Sequence, residues 1–131
     1  MIFVDTNIWY TRMVESESGR DAVDHILSRH AGALVTSDYV LDETLTLLRS
    51  RGYNRHALIF GLGLMSKQIA RLLYLTPEDI AAAWDVFRRY SDKEWSFTDC
   101  TSKVIMERLG IDTALTFDHH IRQFGNVAVL P

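Results

Sequence analysis

Met1-Ile2-Phe3-Val4-Asp5-Thr6-Asn7 decides the fold: a short apolar run stops at three residues that favour turns and caps over strands. A strand that is apolar on both faces must be covered on both faces, as strands of parallel sheets are. The same reading returns at Ala33 to Val35, Leu72 to Leu75, Ala114 to Phe117 and Val127 to Leu130. Between these runs the apolar spacing is helical. Trp9, Tyr10 and Met13 form one stripe and Ala22, Val23, Ile26 and Leu27 another, with Glu15 to Gly19 as the polar break and Gly32 ending the second. Strands alternating with helices give an α/β/α sandwich, a parallel sheet of four to five strands flanked by helices, occupying residues 1–131 as one domain. Right-handed crossovers then bring the C-terminal ends of the strands, and with them Asp5 and Asp118, to one edge.

The remaining helices carry sharper start and stop signals. Ser37 is placed to cap a helix from about Asp38 to Ser50. Glu43 falls at the margin of its buried face, with Tyr39 and Leu47 one turn away and Asp42, Thr46 and Arg49 pointing outward. Asn54 caps a stretch whose apolar face runs through Leu58, Leu62, Met65 and Ile69. Thr76-Pro77-Glu78-Asp79 joins a cap to a proline at N1 and an acid at N3, ahead of Ile80, Ala83, Trp84 and Phe87 on one face. After a polar loop at Ser91 to Glu94, Ser96-Phe97-Thr98-Asp99 is a capping box that opens a helix through Val104, Ile105 and Leu109, closed by Gly110.

Composition excludes several classes. With 47% hydrophobic and 24% charged residues among 131, and few Gly or Pro, the chain can bury its own core and has no disordered character. Its longest apolar run, Ala57 to Met65, is nine residues against the roughly 20 that span a bilayer, so no membrane association is expected. No basic region precedes a long apolar segment near Met1, and the single Cys100 suits a reducing compartment, so the expected location is the cytoplasm. A net charge of -3 speaks against binding nucleic acid. Setting aside Asp5, Glu43, Asp99 and Asp118 leaves fourteen basic against thirteen acidic side chains, a balance that tolerates phosphates.

Those four acids carry the chemistry. Each alone has a structural account: Asp5 as a helix cap, Glu43 as a solvated helix edge, Asp99 as the acid of its capping box, Asp118 as a turn former. Jointly they are placed to meet in one crevice, where crowded carboxylates repel unless a cation holds them, and an all-oxygen set suits a hard cation. Other motifs offer less. His119-His120 lacks the spacing of a helical zinc pair, and the chain has no Gly-rich phosphate loop or Gly-x-Ser-x-Gly elbow. Trp9, Trp84 and Trp95 are read as core or lid residues, and Lys103 as a partner of Asp99 one turn on. Arg49, Arg51 and Arg55 form a basic cluster that fits a phosphate backbone or a solvated helix end equally well.

Val4-Asp5-Thr6-Asn7, Glu43 within Tyr39-Val-Leu-Asp-Glu43, Ser96-Phe-Thr-Asp99 and Leu115-Thr-Phe-Asp118, in this order over nearly the whole chain, resemble the PIN-domain ribonucleases, particularly the VapC-type toxins. The resemblance implies a PIN-like fold and an endoribonuclease that hydrolyses phosphodiester bonds in RNA with Mg2+ or Mn2+. It assigns the metal and the catalysis to Asp5, Glu43, Asp99 and Asp118, with Asn7, Ser96 and Thr98 as polar supports; in the mechanism this suggests, Asp5 and Asp99 are the expected central ligands. It further implies a cognate antitoxin protein over the crevice and a homodimer. Many relatives carry another acid two residues after the last Asp; that position is His120 here, which leaves one metal or two open.

Two rival readings use the same residues. A strand-end Asp also suits a phosphatase of the haloacid-dehalogenase type, which wants a second Asp where Asn7 stands, or a receiver-like phosphoacceptor, which wants paired acids and a suitably placed Lys. A non-catalytic binding domain would use the acids to receive an Arg or Lys from a partner. No residue pattern names the RNA.

Overall fold

The computed structural model describes residues 1–14 and 17–131. Ile2–Val4 (β1), Leu34–Ser37 (β2), Arg71–Leu73 (β3), Thr113–Leu115 (β4) and Ala128–Leu130 (β5) pair in parallel in the order β3-β2-β1-β4-β5. Phe3 lies opposite Val35 on one side and Ala114 on the other. Of the three inner strands, β1 and β2 are buried along their whole length and β4 over its last two residues, while β3 and β5 are partly exposed edges. The strand order reverses beside β1: the chain first moves outward through β2 and β3, then returns to lay β4 and β5 on the opposite side. An open α/β sheet leaves a crevice at such a reversal, beyond the C-terminal ends of its strands.

Thr6–Val14 (α1), Glu17–Arg29 (α2), Asp38–Ser50 (α3), Asn54–Met65 (α4), Pro77–Arg89 (α5) and Phe97–Leu109 (α6) cover the sheet, giving the expected α/β/α arrangement. Two residues of the polar break, Glu15 and Ser16, lie outside the described residues, and α2 is helical from Glu17. Ser37 ends β2 and caps α3, its Oγ accepting the Val40 N–H at 3.1 Å. Both anticipated capping boxes close: Thr76 with Asp79, and Ser96 with Asp99. Gly110 ends α6 at φ +66°, a left-handed conformation that suits glycine. None of the described helices is long and apolar enough to cross a membrane.

The expected helix faces fail in two places. On α4 the buried residues are Ala57, Phe60 and Leu64, whereas Leu58, Leu62 and Met65 are exposed and Ile69 lies past the helix end. This helix is apolar on nearly every side, so periodicity could not choose a face. Asn54 does not cap it; Tyr53 holds that position without a side-chain bond, and Asn54 Oδ1 accepts from Arg49 Nε at 2.7 Å. On α5 the core face carries Asp79 and Ala83, and Trp84 stands 57% exposed, stacked on the exposed Phe87. Arg108 explains the choice: it reaches from α6 to Asp79 with two hydrogen bonds of 2.8 and 2.9 Å, which orients that side of α5 inward. Trp9 and Trp95 are core residues as expected. Lys103 pairs with Glu107 instead of Asp99, and an unforeseen 3-10 helix spans His119–Phe124.

Candidate active site

Asp5 leaves β1 at the strand reversal, and its backbone N–H donates to Leu115 O at 3.1 Å, tying the ends of β1 and β4 together. Its side chain is only 6% exposed. Oδ1 accepts the Thr6 N–H at 2.8 Å and Oδ2 accepts the Thr116 hydroxyl at 2.9 Å. Burial pushes this carboxyl up to about 7, helped by the nearby charges of Asp99 and Glu43 and opposed by the hydrogen bonds from Thr6 and Thr116. Asp99 is also held above the usual carboxylate range, first by burial and then by Asp118 and Glu43, against the Ser96 N–H. The four acids thus act on one another electrostatically.

They do so because one crevice is lined by Asp5, Glu43, Asp99 and Asp118 together with Asn7 and Ser96. Each comes from a different element: Asp5 from the end of β1, Glu43 from the middle of α3, Asp99 from the first turn of α6, and Asp118 from the turn after β4. The local accounts of Asp99 and Asp118 also hold. Asp99 Oδ2 accepts the Ser96 N–H at 3.0 Å, and Asp118 Oδ1 accepts the His120 N–H at 2.9 Å, with His120 Nδ1 3.1 Å away. A carboxylate can close a capping box with one oxygen and keep the other for a ligand.

Thr116 organises the site and was missed in the sequence. Its hydroxyl donates to Asp5 and accepts from Asn7 Nδ2 at 3.0 Å and from the Asp118 N–H at 2.9 Å. One buried oxygen therefore fixes three residues of the crevice. The available signal was a polar residue interrupting the apolar run Ala114 to Phe117, two places before Asp118. Asn7 lines the crevice, and its Oδ1 also accepts the Phe117 N–H at 2.9 Å. Thr98, in contrast, is not among the crevice-lining residues, and its carbonyl accepts from Thr101 Oγ1 at 2.6 Å.

Among the described residues no three acid, His or Cys side chains are already gathered as a closed ligand cluster. Mg2+ does not require one, because it keeps several waters and is commonly held by one or two carboxylates. Thr6 Oγ1, buried in the crevice lining without a hydrogen-bond partner, leaves a polar atom for such a hydrated ion. The donor set therefore fits a hard divalent cation. It fits the rival chemistries less well, since Asn7 occupies the second-acid position and no Lys lines the crevice among the described residues.

Comparison with known proteins agrees with this architecture. The PIN domain family model matches residues 2–127. The 23S rRNA-specific endonuclease VapC20 of Mycobacterium tuberculosis is 30% identical over 131 residues, covering 100% of this chain and 99% of that protein. The crystal structure of M. tuberculosis VapC20, described as a sarcin-ricin loop cleaving toxin, superposes with a TM-score of 0.89 at 29% identity, covering 100% of both chains. VapBC2 from Rickettsia felis, bound to a DNA fragment from its promoter, shares the fold at a TM-score of 0.72 and 13% identity, covering 98% of this chain and 97% of that one. By its sheet order, its crevice and these matches, the chain belongs to the PIN-domain family, among the VapC-type proteins.

Proposed function

We propose that the protein is an endoribonuclease dependent on Mg2+ or Mn2+, acting as the toxin of a toxin–antitoxin pair. The observation that carries this reading is the convergence of Asp5, Glu43, Asp99 and Asp118 on one crevice at the strand reversal. Kinship with an rRNA endonuclease supports RNA as the substrate, and 23S rRNA is the first to offer.

Asp5 and Asp99 would hold the cation most directly, with Glu43 and Asp118 binding it directly or through water. A cation held there would supply acidification of a water and an offset to the charge that builds on the phosphodiester. The protein's part is positional. Thr116 keeps Asp5 and Asp118 in fixed relation, Ser96 holds Asp99 at the start of α6, and Asn7 ties the β1 end to Phe117. No side-chain nucleophile is needed: the oxygen of a water would bond to phosphorus, the bond from phosphorus to the departing oxygen would break with its electrons going to that oxygen, and the proton lost by the water would balance the one the departing oxygen gains.

An antitoxin and a second copy of the chain are the proposed protein partners. Uncovered apolar side chains on α4 (Leu58, Ile59, Leu62 and Met65) and on α5 (Trp84 and Phe87) support their existence. Incubating the purified protein with 23S rRNA in Mg2+, Mn2+ or EDTA tests the activity. Discrete cleavage in metal and none in EDTA is expected, whereas metal-independent cleavage would overturn the reading. Co-purification with the product of the adjacent reading frame, with loss of cleavage in the complex, tests the toxin role.

A further inference from the structure

Arg51 lines the same crevice as the four acids yet forms no ion pair with any of them among the described residues. Its guanidinium instead lies over the Tyr10 ring, 5.0 Å from the centroid. Tyr10 is braced edge-on by Tyr53 at 6.4 Å, and Tyr53 in turn by His56 at 5.4 Å. Neighbouring cations are engaged elsewhere: Arg49 with Asn54, Arg12 with Asp24 and Lys103 with Glu107. A free guanidinium beside carboxylates would fall onto one of them and compete with a metal. The Tyr10 ring offers the guanidinium another resting place, from which it is available to a different anion.

We propose that Arg51, held back by Tyr10, binds a phosphate of the RNA strand that flanks the scissile one. The assignment rests on the nuclease reading given above. Glu43 and Arg51 are eight residues apart along α3 and its cap, about 12 Å of helix axis, and the guanidinium rests on Tyr10 instead of on an acid, an offset that suits a phosphate next to the one at the acids. A polyanion approaching an acid-lined crevice needs a positive point at its mouth, and the forked guanidinium matches phosphate geometry. Of the Arg49, Arg51 and Arg55 cluster, Arg51 is the member that lines the crevice.

The test pairs binding with turnover. Filter binding of 23S rRNA is measured over a KCl series in the Asp99→Asn background, with Arg51→Ala, Arg51→Lys or no further change. Cleavage kinetics and Mn2+ binding are measured for the same Arg51 variants with Asp99 intact, and for Tyr10→Leu. Arg51→Ala should weaken binding and raise KM by roughly tenfold while changing kcat far less, and should lower the slope of log Kd against log salt by about 0.7. Arg51→Lys should restore the slope, because it restores the charge. Tyr10→Leu should weaken Mn2+ binding, as the released guanidinium turns to the acids. Unchanged binding and salt slope in Arg51→Ala, beside an active parent, would overturn the assignment alone. So would a fall in melting temperature without a change in binding. An unmodified protein that neither binds nor cleaves 23S rRNA in Mn2+ would overturn the nuclease reading and this assignment with it.

Discussion

Replacing Asp5 by Asn in metal-stripped protein should change how stability depends on pH. The Asp5 carboxyl is pushed from 3.8 up to about 7, mainly by burial. A raised carboxyl pKa means that the folded chain binds more protons than the unfolded one between those two values. Its contribution is fully present below 3.8 and is lost as pH rises through 7. Over the whole window this amounts to about 4 kcal/mol, and between pH 5 and pH 8 to roughly 2.5 kcal/mol, or about 10 °C in melting temperature for a domain of this size. Asn is neutral throughout, so most of that slope disappears, leaving the smaller part from Asp99, which shifts in the same direction. Asn also places an amide against the Thr116 hydroxyl and the Asn7 amide, at a cost of about 1 kcal/mol. The variant should therefore melt near the parent at pH 5 and clearly above it at pH 8. Thermal melts in EDTA across that range decide the matter. Parallel curves for the two proteins would refute the claim that Asp5 carries a costly charge.

Other perturbations follow from single contacts. Thr116→Val removes one donated and two accepted hydrogen bonds, and should cost about 1–3 kcal/mol in urea unfolding and lower kcat more than it raises KM. Ser96→Ala deletes the cap that receives the Asp99 N–H; about 1 kcal/mol of stability should go, and calorimetry should show weaker Mn2+ binding. Arg108→Ala strands the buried Asp79 carboxylate. Because Arg108 itself is 42% exposed, the expected loss is about 2 kcal/mol by denaturant titration, with cleavage per folded molecule unchanged.

Much of this was legible because the signals were local. β1, β2 and the capped starts of α3, α5 and α6 follow from short runs in which apolar residues, caps and glycines agree. Asp5 and Asp118 were legible because a parallel sheet sends the ends of β1 and β4 to one edge, which needs no knowledge of side-chain packing. Failures came where several faces were chemically equivalent. On α4 the run Ala57-Leu-Ile-Phe60 offers apolar side chains in every direction, and only the neighbouring elements select Ala57, Phe60 and Leu64. On α5 the selection was made by Arg108, twenty-nine residues from its partner Asp79. Thr116 escaped for a similar reason: its partner Asp5 is 111 residues away, and the hydroxyl acquires its role only when β1 and β4 pair. Thr98 stands in the Ser96-to-Asp99 motif, but membership of a helix start does not decide which side chains face the crevice, and Thr98 is not among those that line it.

The central claim is that the four acids act jointly by holding a divalent cation for RNA cleavage. Its most direct test is the rate of 23S rRNA cleavage by the unmodified protein and by Asp99→Asn, purified in parallel, over a Mn2+ titration. The account predicts a saturable, EDTA-sensitive rate for the former and loss of cleavage for the latter at every Mn2+ concentration, with both proteins folded. Equal rates with the same half-saturating Mn2+ would contradict it.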